Sequence, residues 1–360
     1  MKTILLFEPQ SGGHRDNFFQ WLENAAPEYA DCRFISFTAD DAKDADLAHL
    51  GWWKKQKTIY QLFRNACRIH QPDHALILEL TPIELPLVLF GSPVPLSAIL
   101  FVQYPELSNG WKKVFKHWKT RLLLRRAPVK NLFLLNGEKS CLFLAKHFGR
   151  TRTKFIPIPD PAPEASAEEN FNLRDYFNVS KDRKIFLFFG AISKRKGADV
   201  LLEALHQISS DAAKQSTFVF CGEPEVPYKN EFQISVAEVR DLGAVDLYIE
   251  NTFVSDERMM ALFEQADVIL MPYTRPEYSS GILALAAKAG TPVLGPADGL
   301  LGRLITENDL GVTARITPAD LAEAIARPVC ADETKQCAFS AQSRGSDFSK
   351  IILNAICDES

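Results

Sequence analysis

The feature that most constrains the fold is the run Ile185 to Phe189, five consecutive apolar residues closed by Gly190, which leads through a basic loop into an amphipathic stretch. A strand that is apolar at every position, rather than at alternate ones, belongs in a parallel sheet covered on both faces. Gly190 lets the chain turn at the strand's carboxyl end. Lys194, Arg195 and Lys196 crowd the loop and Gly197 follows, after which Val200, Leu201, Ala204, Leu205 and Ile208 fall on one helical face. Ligands of open α/β sheets sit at the carboxyl ends of strands, and helix amino ends favour anions, so the unit reads as a phosphate grip. The bland alternative is a solvated basic loop.

The same plan recurs along the chain. Strands are expected at 3–7, 34–37, 76–80, 97–102 and 132–135 in the first half, with helical patterns between them. In the second half they are expected at 185–189, 217–221, 268–271 and 292–294, and Thr317–Pro318 opens a further helix. Between the halves Pro157, Pro159, Pro161 and Pro163 alternate with other residues, which predicts an extended hinge, and Glu164 to Asn172 an acidic surface linker. A chain of 360 residues suits two domains of roughly 150 to 180 each. The expected class is therefore α/β, with Rossmann-like domains at 1–160 and 161–345 whose parallel sheets face a central cleft. In 346–360, Phe348, Ile351, Ile352 and Ala355 share one face, which suits a last helix crossing back to the first domain.

Charge is uneven. Residues 1–160 hold 22 Lys and Arg against 15 Asp and Glu, whereas the rest of the chain holds 19 against 30. Much of the basic surplus lies in 52–68, beside Trp52, Trp53 and Phe63, and in 111–130, which has eight Lys or Arg and no acid. Cations mixed with aromatics suit an anionic membrane surface, the plain alternative being a solvated helix face. The only long uncharged stretch, Leu85 to Val102, is interrupted by Pro86, Gly91, Pro93 and Pro95, so it is read as a short helix, a turn and a buried strand rather than a span. Seven scattered cysteines without a Cys-x-x-Cys pair argue for a reducing compartment, and the first strand starts with no export leader before it. A cytoplasmic protein, peripheral on the inner face of a membrane, is expected.

A second informative run is Met271 to Leu294. A strand ends near Met271, a loop holds Glu277, Tyr278, Ser279 and Ser280, and Gly281 opens a helix closed by Gly290. Free N–H groups and two hydroxyls make a second anion seat there. Two seats on neighbouring strands suit a diphosphate. Asp44, Ala45 and Asp46 lie in an acidic run and are read as solvated, so no metal is assigned. No Gly-x-Gly-x-x-Gly follows any strand, which disfavours a dinucleotide-dependent oxidoreductase. No paired acids suited to proton transfer are evident in the first half, which disfavours an epimerase.

Across Gly190, Lys196, Gly197, Glu277, Gly290, Pro292 and Val293 the chain resembles the carboxyl-terminal domain of the retaining glycosyltransferases of family four (glycosyl transferases group 1), which have the GT-B architecture. Phe253 to Tyr273 is similar to that family's segment leading to the donor loop, and Gly12, Gly13 and His14 to its loop after the first strand. The resemblance implies a nucleotide-diphosphate sugar donor, a glycan or lipid-linked acceptor, a role in cell-surface polysaccharide biosynthesis, no cofactor, no metal and no nucleic-acid partner. It implies that Arg195 and Lys196 meet the leaving phosphates and that Glu277 contacts the donor sugar. Gly190, Gly222, Phe253, Val254, Ser279, Ser280 and Gly281 would line the donor site, and Gly12, Gly13, His14 and Arg15 the acceptor side, where Arg15 could meet an anionic group. Three positions depart from the family pattern: Leu285 replaces a second glutamate, Ala191 an arginine, and Phe101 to Glu106 holds no histidine. These motivate an alternative, a catalytically weakened GT-B subunit that binds sugar nucleotides or scaffolds other enzymes.

Overall fold

The computed structural model describes residues 1–360 except 12–13, 48, 102–110, 150, 244, 253 and 359–360. The chain separates into two compact units, one made of Met1–Asp160 with Arg344–Ser360, the other of Pro161–Ser343.

Unit 1 is built on six parallel strands, β1 (Lys2–Phe7), β2 (Cys32–Phe37), β3 (His74–Ile77), β4 (Leu96–Leu100), β5 (Val129–Leu135) and β6 (Lys154–Ile158), in the order β2-β1-β3-β4-β5-β6. Helices α1 (His14–Ala25), α2 (Trp52–His70), α3 (Glu84–Phe90), α4 (Trp111–Arg126) and α5 (Glu138–Phe148) connect them. Because successive strand residues face opposite sides, Leu5 and Phe7 enter one apolar layer with Phe63 of α2, while Ile4 and Leu6 enter another with Phe18 and Leu22 of α1.

The second layer is completed by a helix from the far end of the chain. Gly345–Cys357 brings Phe348, Ile352, Leu353 and Ile356 into it, with the Phe18 and Phe348 rings 4.6 Å apart. Polar groups fix its depth. Asn131 Nδ2 donates to Ser97 Oγ (3.1 Å) and to the Ala355 carbonyl (3.2 Å), and His74 Nε2 lies 3.0 Å from the same hydroxyl. Burial pushes the His74 pKa down to about 4, with Lys2 and Lys130 repelling its charged form, so the imidazole stays neutral there.

Unit 2 repeats the plan with β7 (Lys184–Phe189), β8 (Ser216–Cys221), β9 (Asp246–Glu250), β10 (Val268–Leu270), β11 (Val293–Pro296) and β12 (Gly311–Ala314), in the order β12-β11-β10-β7-β8-β9, again parallel. Its helices are α6 (Leu173–Tyr176), α7 (Ala198–Leu205), α8 (Ser210–Lys214), α9 (Lys229–Asp241), α10 (Asp256–Gln265), α11 (Gly281–Ala289), α12 (Gly299–Glu307), α13 (Pro318–Ile325) and α14 (Glu333–Gln342), so the unit 1 helix Gly345–Cys357 is α15. The unbroken run of β7 explains its double coverage: Ile185 and Leu187 join one layer, Phe186 and Phe188 the other. Register pairs Phe186 with Phe218 and Phe188 with Phe220, whose rings stack at 5.3 and 5.0 Å.

Two expectations are corrected. The extended proline stretch begins as a strand, because Pro157 lies in β6 opposite Leu134. A proline is tolerated there because β6 is an edge strand with no further neighbour to receive its missing N–H. The acidic segment after it is no free linker. Lys288 Nζ donates to the carbonyls of Pro163 (2.8 Å) and Ala165 (3.1 Å), and Arg258 binds Glu168 through Nε (2.5 Å) and Nη2 (3.1 Å). Among the described residues no helix is long and apolar enough to cross a membrane.

Candidate functional site

At the carboxyl end of β7 three chain segments approach so closely that only glycines fit. Gly190 has φ +92°, and a Cβ there would lie 2.5 Å from Lys196 Nζ. Gly222, after β8, has φ +140°, and a Cβ would lie 2.2 Å from the Gly190 carbonyl. Gly197 has φ +74°, and a Cβ would lie 1.8 Å from the Pro272 carbonyl. Side chains at these places would be both strained and obstructed. The Lys-Arg-Lys turn is thereby pressed against the loop after β10, where Thr274 donates its N–H (3.1 Å) and Oγ1 (3.1 Å) to the Arg195 carbonyl.

Lys196 is 9% exposed. Its Nζ donates to the Phe189 carbonyl (3.1 Å) and sits 5.6 Å from the centroid of the Tyr273 ring. No carboxylate pairs with it among the described residues. A buried ammonium with one carbonyl and an aromatic face keeps unused donors, which is the condition that draws an anion. Tyr273 joins this seat to the next, because its hydroxyl lies 3.4 Å from Ser280 Oγ. Ser280 precedes α11, makes no side-chain cap bond, and the first turn of α11 holds no acid; the Leu283 N–H bonds the Ser280 carbonyl, which leaves the N–H groups ahead of it to meet an anion. The first turn of α7 is different: it carries Asp199. The anion-attracting elements are therefore Lys196 and the start of α11, rather than the start of α7.

The other expected residues are placed as follows. Arg195 is exposed on the turn, whereas Lys194 faces away to Glu231 (Nζ–Oε1 2.6 Å) and Tyr228. Glu277 and Ser279 are half-buried in the loop before α11, and Val254 is half-buried against the unit 2 core. Phe253 lies outside the described residues. Leu285 is 2% exposed within the apolar layer under α11, so the position of the family's second glutamate is a core position in this chain. Ala191 is exposed.

On the unit 1 side Gly12 and Gly13 lie outside the described residues, as does the side chain of His14. Arg15, on α1, is engaged within the protein: its Nε (2.9 Å) and Nη2 (2.5 Å) both donate to Glu79 Oε2, and Nε lies 3.8 Å from Glu8 Oε1. Its charge is met by acids, which leaves little of it for an incoming anion. Burial pushes the Glu8 carboxyl up to about 8, Glu79 adding to the rise while Arg15 and the Gln10 N–H only partly offset it. Glu8 and Glu79 thus form a paired-acid cluster around one arginine that the sequence reading missed. Their separation along the chain hides it; what could have signalled it is an acid directly after an apolar strand run in both cases. Beside the cluster is a cavity of about 190 Å³. Among the described residues no group of three or more His, Cys, Asp or Glu side chains is placed to hold a metal ion.

The surface helices also depart from expectation. Glu84 is 1% exposed and binds both Lys116 (3.1 Å) and Lys119 (2.6 Å), so two of the eight basic residues in 111–130 serve to fasten α4 to α3. Burial raises the Glu84 pKa, but the two ammonium groups outweigh it and hold the carboxyl below its usual value. Trp52, Trp53, Leu89, Phe90, Phe115 and Trp118 are exposed on α2, α3 and α4.

Comparison with known proteins places these observations. Residues 170–344 match the family model of glycosyl transferases group 1. The chain is similar to a 2-deoxystreptamine glucosyltransferase of Streptomyces kanamyceticus, 26% identical over 240 residues covering 65% of this chain and 56% of that protein. It is also similar to a D-inositol 3-phosphate glycosyltransferase of Xylanimonas cellulosilytica, 27% identical over 157 residues, 43% of this chain and 35% of that one. The matched stretch thus spans about half the length of the first relative and about a third of the second. Among solved structures, HepE of Anabaena in complex with UDP and glucose superposes with TM-score 0.66 at 16% identity, covering 99% of this chain and 100% of that one. WaaG, a glycosyltransferase involved in lipopolysaccharide biosynthesis, gives 0.60 at 15%, covering 97% and 95%. The fold is GT-B.

Proposed function

We propose that the chain, whose residues 170–344 match the family model of glycosyl transferases group 1, is a retaining, metal-independent hexosyltransferase that uses a nucleotide-diphosphate sugar. The observation that carries the reading is Lys196: a buried ammonium without a carboxylate among the described residues, joined through Tyr273 to the amino end of α11. Departure of a nucleoside diphosphate develops negative charge on its phosphates. Donors already in place stabilise that charge without reorganising. Lys196, with Arg195 beside it on the turn, meets the phosphates; Ser279, Ser280 and the Gly281 N–H supply hydrogen bonds; Glu277 orients the sugar. Gly190 and Gly222 keep the floor clear of side chains. The UDP in the HepE structure makes uridine diphosphate sugars the first donors to test. A thermal-shift screen of uridine, guanosine and adenosine diphosphate sugars, followed by turnover of whichever donor stabilises the chain, tests the reading. A saturating ligand at 100 times its dissociation constant stabilises by about 2.7 kcal/mol, and no stabilisation by any of them would overturn the assignment.

The acceptor is assigned to unit 1, near Gly12, Gly13, His14 and Arg15, and is a glycan, lipid-linked or other hydroxylated molecule. The relatives are named for 2-deoxystreptamine and for D-inositol 3-phosphate, two small ring polyols, one name carrying a phosphate. Docking on an anionic membrane through α2 to α4 would place the enzyme at lipid-linked substrates of cell-surface polysaccharide synthesis. The exposed Trp52, Trp53, Phe90, Phe115 and Trp118 support that.

A second reading is favoured by Leu285. Its burial removes any ribose-binding carboxylate from that position, as expected of a subunit that binds the sugar nucleotide without transferring the sugar. Calorimetric donor binding with no turnover on a panel of acceptors would establish it, and turnover would remove it.

A further inference from the structure

Two thiols far apart in sequence meet at the edge of the unit 1 sheet. Cys32 opens β2, the edge strand beside β1, and Cys357 closes α15. Both are half-buried at the margin of the apolar layer that α15 completes. Their approach is fixed by two independent ties. Cys32 pairs in register with Lys2 of β1, whose Nζ donates at 2.7 Å to the carbonyl of Ile356, the neighbour of Cys357. The Cys32 N–H donates to the Tyr29 carbonyl at 2.9 Å, and the Tyr29 hydroxyl donates at 2.7 Å to Oδ1 of Asn354, on the same last turn of α15. Held in this way, the two cysteine side chains hydrogen-bond one another. Burial and that bond keep the Cys357 thiol protonated well above its ordinary range, Lys2 offsetting only part of the rise. The remaining cysteines differ. Cys67, Cys141 and Cys221 are buried, their thiols pushed up to about 12 by burial, which leaves them inert. Cys330 and Cys337 are exposed.

We propose that Cys32 and Cys357 form a redox modification site, a dithiol under reducing conditions that a small-molecule disulfide converts into a cross-link between β2 and α15. In reducing compartments the disulfides that do form are transient or sensing ones. The thiolate of one cysteine attacks a sulfur of the reagent, forming a mixed disulfide and expelling a thiolate. The other cysteine loses its proton, attacks the mixed disulfide and expels the second thiolate. The two expelled thiolates take up the two protons that the cysteines gave, so the protein is oxidised and the reagent reduced to two thiols. The cross-link closes a loop that includes all of unit 2. It constrains the unfolded chain and holds the last turn of α15 on the sheet, which keeps Ile352 and Ile356 seated in their layer.

Treating the full chain with oxidised glutathione, and then with dithiothreitol, tests the proposal. Non-reducing digestion and mass spectrometry are expected to find Cys32 joined to Cys357 in most of the oxidised chain, and dithiothreitol to restore both thiols. Proteolysis within α15 is expected to slow by about tenfold or more on oxidation, because its local opening is suppressed. Cys32→Ser and Cys357→Ser are each expected to abolish both the cross-link and the slowing. Should either variant fail to fold, the dithiol and disulfide forms of the parent chain supply the comparison without any substitution. Recovery of Cys32 and Cys357 as free thiols or as glutathione adducts, a cross-link confined to Cys330 and Cys337, or a Cys32 to Cys357 cross-link that leaves proteolysis of α15 unchanged would each overturn the proposal.

Discussion

At the carboxyl end of β7 a buried ammonium, Lys196, faces no carboxylate among the described residues, whereas at the carboxyl end of β1 a buried carboxyl, Glu8, lies 3.8 Å from a guanidinium already held by another acid. The two sheets share strand number, parallel sense and the place where ligands gather. They differ in how a buried charge is accommodated. Glu8 takes up a proton, as its rise to about 8 shows. Lys196 gives a donor to the Phe189 carbonyl and packs by the Tyr273 ring. Architecture fixes where a site can be, and the side chains at the strand ends decide which sign of ligand it invites.

Four measurements would break or sharpen this contrast. The largest effect is expected from Lys196→Ala, which should lower donor turnover by about 10²- to 10³-fold, as removal of one preorganised donor commonly does; a rate equal to the parent's would mean that the ammonium does not meet the donor. Next is the pH dependence of stability. The Glu8 carboxyl binds its proton more tightly folded than unfolded, so its contribution is fully present below about pH 4.5 and is lost as pH rises through about 8. Urea denaturation should therefore show Glu8→Gln gaining on the parent chain by up to a few kcal/mol between about pH 5 and pH 8. A gap independent of pH would show that Glu8 is not the group responsible. Third, Gly190→Ala would push a methyl into the Lys196 ammonium at a backbone angle unfavourable to L residues. About tenfold weaker UDP binding by calorimetry is expected, equivalent to about 1.4 kcal/mol, and unchanged affinity would separate the glycine floor from the anion seat. Smallest, Phe115→Ala with Trp118→Ala should lower flotation with phosphatidylglycerol vesicles several-fold and leave phosphatidylcholine vesicles unaffected. No difference would detach the exposed aromatics of unit 1 from any membrane role.

Central strands of both sheets were readable because they are apolar on two faces, as in Ile185 to Phe189 and Leu132 to Leu135. The strands that went unread, β6, β9 and β12, are all sheet edges. An edge strand is partly solvated and can hold Pro157, or charges at both ends as in Asp246–Glu250, without the continuous apolar run that identifies its neighbours. In the candidate site, Lys196, Gly190 and the start of α11 were legible because each stands next to an apolar strand in sequence. Tyr273 as the link between seats was not, since only the fold brings its ring over Lys196. The Glu8, Arg15 and Glu79 cluster was hidden for the same reason: β1, α1 and the turn after β3 meet only when the sheet forms. The basic run of α4 misled in part, because a single buried acid on α3 claims Lys116 and Lys119.

The far-end helix α15 has a consequence for how the molecule is made. A ribosome completes all of unit 2 before it releases the segment that closes the second layer of unit 1, so Phe18 and Leu22 of the nascent chain wait without their partner Phe348. Until then α1 has an unclosed greasy face, open to chaperones or to misassociation. Assembly is thus ordered in time: unit 2 is encoded between the two pieces of unit 1, so the second layer of unit 1 is sealed only after unit 2 has been synthesised.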